Sequence, residues 1–330
     1  MLSANYVPVT GMASNRLVVD CNRRDRYKPD GTPARPFKRL ADAFAAAGSA
    51  RSAAEFQDEA NAHWLFQVNP GIYADEPDPL QVPIWAAVTL LLDQAEIRTN
   101  VRREWLKDFT PITGETFRFP SLAIRGTSFR AAYAGHPLCG IRGDLVLYTE
   151  PGIGGVTDVH MIQSGLLGKV IQEGAGSSQR KFFTAYSSIE GYEGRASGND
   201  LIYAYNCDTS SSVHLGDVSG TVCLYRLRNV RMSQCMAVSS VGGELRNVQM
   251  GTTSDLTAYT GALTIDAATY SMGKAVWDAR IAAGGTTNFE DKAEGVAFAP
   301  AVAGDWNAAP SRVQAALDEL AARIKAIEGP

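Results

Sequence analysis

The stretch Leu227-Arg228-Asn229-Val230-Arg231-Met232 returns almost unchanged as Leu245-Arg246-Asn247-Val248-Gln249-Met250, 18 residues later. A period of this length is about one turn of a β-solenoid, in which each coil stacks on the previous one. The repeat therefore predicts a parallel solenoid of short strands.

A shorter pattern of one polar residue between two apolar residues accompanies the repeat. It occurs at Val213-x-Leu215, Val230-x-Met232, Val248-x-Met250 and Leu263-x-Ile265. In a strand the outer two side chains of such a triplet lie on one face and the middle one on the other. The middle residues are His214, Arg231, Gln249 and Thr264. The pattern predicts apolar residues facing inward and polar residues facing outward, once per coil.

Composition excludes several classes of protein. The net charge of −4 over 330 residues does not favour nucleic-acid binding, which requires a basic excess. No run approaches the ~18 apolar residues of a membrane span, and the N-terminus lacks the features of a signal peptide. Five cysteines without a CxxC pair indicate neither a zinc site nor a disulfide framework. We expect a protein made in a reducing cytoplasm, with no metal, cofactor or membrane insertion.

The chain divides into four segments. Residues 1–35 are polar and predict an extended N-terminal attachment arm. Residues 36–285 predict the solenoid body, with an irregular excursion near 96–140. Within the body, apolar residues at helical spacing predict a short helix over 36–47, and a second helix is expected over 52–62. Residues 286–310 read as a linker and 311–330 as a C-terminal helix.

The C-terminal helix carries an apolar seam. Ser311 is the expected N-cap, and the seam residues recur with the 4, 3, 4, 3 spacing of a heptad repeat. They are Val313, Leu317, Leu320, Ile324 and Ile327. About two heptads are too short for a stable isolated coiled coil. The seam therefore predicts either self-association of chains already gathered by other contacts, or packing of the helix on its own β-body.

Two motifs near the N-terminus resemble the entry to pectate-lyase-like right-handed β-helices. They are Pro36-Phe37-Lys38-Arg39-Leu40-x-x-Ala43-Phe44 and Val68-x-Pro70-Gly71-x-Tyr73. The resemblance implies an all-β fold, a right-handed parallel β-helix, whose first coil is covered by a short N-terminal capping helix. A left-handed hexapeptide solenoid is disfavoured, because the steps of six after Leu227 reach Ser233 and Ser239.

The segment from Asp305 to Ile324, D-W-x-x-x-P-x-x-V-Q-x-A-L-D-E-L-A-A-R-I, resembles one that ends many structural proteins of tailed bacteriophages. These include tail fibres and head or neck appendages. The resemblance implies a non-enzymatic virion protein, a homotrimer joined through its C-terminal oligomerisation helix. Its other partners would be virion proteins, bound through the N-terminal arm, and a host glycan. A capsid decoration protein without a receptor role is a further alternative.

The enzymatic alternative is a tailspike depolymerase, either a glycoside hydrolase or a polysaccharide lyase. Glycoside hydrolysis needs two carboxyl groups across a groove. The candidates in the body are Asp158, Glu190, Glu193, Asp200, Asp208 and Asp217, and none forms a D-D or D-x-D pair on one strand. The sequence therefore favours no catalytic residue, although acids on different coils could converge.

Two smaller patterns leave alternatives open. Asp158-Val159-His160 places an acid and an imidazole on one strand face, which is either half of a metal or acid–base site or an ordinary polar face. The loop Asp75-Glu76-Pro77-Asp78 is either a calcium-binding loop or a solvated turn.

The aromatic stretch between Lys181 and Tyr205 is the best candidate for glycan contact, because exposed aromatic rings stack on sugars. The candidate residues are Tyr186, Tyr192, Arg195, Tyr203 and Tyr205. Core or subunit-interface packing is the alternative, and part of the stretch must be core. Phe182 and Phe183, for example, cannot both face outward along one strand.

Overall fold

The structure is a computed structural model. It describes residues 15–24, 27–49, 63–82, 87–103, 122–127, 139–149, 158–174, 181–195, 200–205 and 213–290, together with 317, 319 and 320. The helix expected over 52–62 lies outside these residues.

The described residues are mostly β-strand. The strands are β1 (Arg16–Val19), β2 (His63–Val68), β3 (Gly71–Tyr73), β4 (Leu80–Gln81), β5 (Ala87–Leu92), β6 (Ala95–Ile97), β7 (Val101–Arg103), β8 (Leu122–Gly126), β9 (Gly140–Arg142), β10 (Leu145–Thr149), β11 (Asp158–Ile162), β12 (Gly165–Gly174), β13 (Lys181–Ala185), β14 (Ser188–Gly194), β15 (Asp200–Tyr205), β16 (Val213–His214), β17 (Asp217–Met232), β18 (Gln234–Val238), β19 (Gly243–Met250), β20 (Leu263–Ile265) and β21 (Thr287–Phe289). The helices are α1 (Leu40–Ser49), α2 (Ala267–Met272) and α3 (Lys274–Ala282).

All paired strands run parallel, and all except those at the ends of a stack pair with strands of the turns before and after them. Three stacks result. Face A contains β1, β2, β5, β8, β11, β13, β15, the middle of β17, the start of β19, β20 and β21. Face B begins with β3, β6 and β9, and face C with β4, β7 and β10. The arrangement is consistent with a β-helix solenoid.

The repeated hexapeptide occupies neighbouring turns, as predicted. Leu227 pairs with Leu245, and Val230 with Val248. Asn229 and Asn247 lie where the chain turns from face A to face B, with φ of 55° and 50°. Asparagine tolerates this left-handed conformation better than most residues. The Nδ2 of Asn247 donates a hydrogen bond to Oδ1 of Asn229 at 2.7 Å, so the repeat preserves a stacked corner.

The first three triplets stack on face B, as expected, with their apolar residues buried. The fourth triplet also has its apolar residues buried, but Leu263 and Ile265 pair with Gly243 and Leu245 on face A rather than with strands of face B. After β19 the chain crosses the end of face C without forming a strand, and Asp255 N donates to Cys235 O there. The 15-residue step therefore joins two different faces.

Helix α1 packs on the first turns of the solenoid. The rings of Phe44 and Phe66 meet edge to face, with centroids 4.7 Å apart. The Glu76 carboxylate accepts hydrogen bonds from the first helical amides, Leu40 N at 2.6 Å and Ala41 N at 3.0 Å. Burial raises the pKa of Glu76 above its usual range, although these two amides oppose the shift. The acidic loop thus supplies a helix cap from a distant part of the sequence.

The sheet extends beyond the predicted body at both ends. Strand β1 lies within the predicted arm and pairs with β2, and β21 lies within the predicted linker and pairs with β20. In the predicted excursion, β6, β7, β8 and β9 continue the stacks. Residues 104–121 and 128–138 of that excursion lie outside the described part.

Candidate glycan-contact surface

An aromatic row runs across the outward side of face A. His160 pairs in register with Phe183, and Phe183 with Tyr203. Their ring centroids are 4.6 and 4.5 Å apart, with interplanar angles of 10° and 23°. Tyr225 follows at 5.1 Å with a tilt of 58°. All four side chains are half-buried.

The stacking limits what this row can bind. The centroid spacings are close to the ~4.8 Å between neighbouring strands, and the small interplanar angles show that the rings of His160, Phe183 and Tyr203 lie flat against one another. The ring faces of Phe183 are covered by His160 and Tyr203. A sugar needs an open ring face to stack, so the middle of the row is a structural ladder. Glycan recognition here would depend on ring edges and on neighbouring polar groups.

Two arginines provide those polar groups. Arg226 and Arg228 are exposed on the outward side of β17 and pair in register with Tyr203 and Tyr205 of the previous turn. The guanidinium carbon of Arg226 lies 5.3 Å from the ring centroid of Tyr225, and that of Arg228 lies 5.8 Å from that of Tyr205. Both distances fall within cation–π range. We call these five residues the Tyr–Arg cluster.

The structure brings together only two of the predicted glycan contacts, Tyr203 and Tyr205. Tyr186 lies at the corner between faces A and B with φ of 51°, outside the cluster. The prediction was wrong for Tyr192, whose side chain is completely buried. It pairs in register with Val170 and Val218 on the inward side of face C.

Inside the solenoid, Tyr192 belongs to a buried polar group. Its ring meets that of Phe182 with centroids 5.2 Å apart. With the Gln172 side-chain amide oriented to satisfy its neighbours, the Tyr192 hydroxyl donates to the Gln172 oxygen and the Gln172 nitrogen donates to the carboxylate of Asp200. Asp200 is also completely buried, so this candidate acid faces the interior and cannot meet a polysaccharide on the outer wall.

Arg195 lies on a different part of the surface and is ion-paired. Its Nε is 2.7 Å from Oε1 of Glu193, and its Nη1 is 3.1 Å from Oε1 of Glu173. The Arg195 hydrogen bond holds the pKa of Glu193 below its usual range. Arg102 joins the group 3.6 Å from Glu173. Arg195 therefore belongs to a salt-bridge network of face C rather than to the aromatic surface.

The remaining sequence candidates are His160 and the other acids of the solenoid body. Glu190 and Asp217 are exposed, while Asp208 lies outside the described residues. The His160 ring is stacked on Phe183. Across the described ranges, no group of three or more His, Cys, Asp or Glu could hold a metal ion. In the same ranges, no helix has the length and apolar character needed to span a membrane.

Part of the predicted C-terminal seam is visible. Leu317, Glu319 and Leu320 are helical, and the two leucines are 50% and 43% exposed. Val313, Ile324 and Ile327 lie outside the described residues, so the full heptad seam stays a prediction.

Sequence reasoning missed Tyr225, Arg226 and Arg228 as site residues. The alternation Tyr225-Arg226-Leu227-Arg228 indicates an outward-facing pair of arginines. It does not show which residues lie in the previous turn, because the step from Tyr203 to Arg226 departs from the 18-residue period and includes a register shift after Leu201.

Comparison with known proteins adds no relative. The chain matches no protein-family model, no curated protein and no solved structure.

Proposed function

We propose that this chain is a non-enzymatic structural protein of a tailed-phage virion. It is a trimeric, right-handed β-helical appendage of the fibre, spike or decoration type. Its N-terminal arm joins it to other virion proteins, its C-terminal helix joins three copies, and its side wall contacts host glycan.

The exposure of Leu317 and Leu320 carries this proposal. Both residues are helical and about half exposed in a single copy of the chain. Leucines repeated on one side of a helix are normally buried, and their exposure marks an association surface. They also lie within the segment that resembles the ends of phage structural proteins.

The covered ends of the solenoid support a rod of fixed length. At one end α1 packs on the first turns and acts as the capping helix. At the other end, Oγ1 of Thr269 accepts a hydrogen bond from Val248 N at 3.0 Å, and Oδ2 of Asp266 accepts one from Asn247 N at 3.0 Å. These bonds satisfy edge amides of β19 that could otherwise pair with another chain. Association through the C-terminal helix is thus favoured over end-to-end growth.

Native mass spectrometry of the full chain tests the assembly. We expect a species of three times 35.4 kDa for the wild type. The double variant Leu317→Ser, Leu320→Ser should dissociate to the 35.4 kDa chain, because it removes apolar contacts from a short seam. Ile281→Ser, a change at an apolar residue of α3 that is 42% exposed, serves as the control and should remain trimeric. A monomeric wild type, or a double variant that stays trimeric, would contradict the proposal.

A further inference from the structure

We infer that the Tyr–Arg cluster on face A binds an acidic glycan, one whose sugar rings carry carboxylate groups. This inference deepens the proposed function and rests on its claim of glycan contact. The cluster consists of Tyr203, Tyr205, Tyr225, Arg226 and Arg228.

The charge of Arg228 is the first argument. Arg228 pairs in register with Arg246 of the next turn, and like charges directly opposite one another destabilise a sheet. Arg246 is ion-paired, with its Nη2 2.5 Å from Oε1 of Glu290. Among the acids of the described ranges, none lies within ion-pair distance of Arg226 or Arg228. Arg226 pairs in register with the exposed Glu244, but their side chains form no ion pair, so both guanidinium groups can meet an external anion.

The position of these two groups is the second argument. Arg226 and Arg228 are two residues apart on one strand, so they point the same way about 7 Å apart along it. Each guanidinium lies over a tyrosine ring, which reduces the side-chain freedom lost when a ligand binds. Guanidinium groups bind carboxylates through paired hydrogen bonds.

The stacked rings are the third argument. Because both ring faces of Phe183 and one ring face of Tyr203 are covered, this row offers little ring surface for sugar stacking. Recognition must then come from the arginines, which favours charged over neutral sugars. An acidic polysaccharide held at two of its carboxylates suits a single arginine pair on a chain of net charge −4 better than a nucleic acid, whose binding requires many cationic contacts.

A matched pair of polymers tests the inference with the full-length chain. The probes are polygalacturonate and its fully methyl-esterified form, which has the same rings without the charges. We expect the acid form to bind at least about tenfold more tightly, and its binding to weaken as salt is added. The double variant Arg226→Gln, Arg228→Gln should lose this preference. The control Arg231→Gln removes an exposed arginine of face B and should keep it.

Several results would overturn the inference. Equal binding of both polymers would reject the acidic preference while leaving glycan contact intact. Equal weakening by Arg231→Gln would show general charge attraction. Tighter binding of a single-stranded oligonucleotide than of polygalacturonate would assign the cluster to nucleic acid. If neither polymer binds a chain that is trimeric by mass, the glycan site is rejected and the assembly role remains.

Discussion

Replacing Arg280 with leucine is expected to lower the free energy of unfolding by about 3–5 kcal/mol. The Arg280 side chain is completely buried. Its guanidinium donates to four backbone carbonyl oxygens, those of Leu256, Tyr259, Gly261 and Thr286. Leucine would fill much of the space but leave all four acceptors without this donor. Urea denaturation measures the loss, and hydrogen exchange should locate it in the last turns.

The variant Arg280→Lys separates charge from geometry in this interaction. A lysine keeps the positive charge but has one nitrogen, which cannot reach the four carbonyls together. It should therefore recover only part of the lost stability. Arg231→Leu changes an exposed arginine and should stay within about 0.5 kcal/mol of the wild type. If the free energy of unfolding of Arg280→Leu also stayed within about 0.5 kcal/mol of the wild type, the buried guanidinium would not be stabilising the C-terminal turns.

Phe182→Ala is expected to cost about 3–5 kcal/mol. Phe182 is completely buried and pairs in register with Val159 and Ile202 on the inward side of face A. Its ring also contacts Tyr192 next to the buried polar group. Truncation leaves a cavity that the stacked turns above and below cannot easily close. Thermal and urea unfolding measure the effect.

The neighbouring Phe183 provides a matched control on the same strand. Phe183 points outward and is half-buried between His160 and Tyr203. Phe183→Ala removes two stacked contacts without opening the interior, so it should cost about 1–2 kcal/mol. Equal losses for the two variants would contradict the assignment of inward and outward sides on face A.

The sequence predicts the repeated part of the fold because local rules govern it. Alternation determines which side chains face inward, and the repetition of Asn229 as Asn247 marks one corner of the coil. The sequence does not show where the coil length changes, so it does not show that Leu263 lies on face A while the other three triplets lie on face B. Nor does it show that Glu76 caps α1, a contact between residues 36 positions apart.

The candidate site was only partly predictable for the same reason. Alternation along Tyr203-Ala204-Tyr205 is compatible with two outward tyrosines, and both are half-buried beside the buried Ala204. Tyr192 lies after the point where β14 bends from face B to face C. At this bend the regular alternation of inward and outward side chains is interrupted, and the Tyr192 ring points inward. Arg226 and Arg228 lie in the following turn, and their register with Tyr203 and Tyr205 depends on an irregularity in the pairing of β15 with β17. Such tertiary pairings are not encoded in any short motif.

We propose that the chain is part of a virion, and immunogold electron microscopy of particles from a phage that carries its gene tests this proposal most directly. An antibody against the solenoid body should label intact particles at one fixed structural position. Particles treated with antibody against an unrelated host protein serve as the control. Unlabelled particles, purified from cells in which the same antibody detects the chain, would contradict the account.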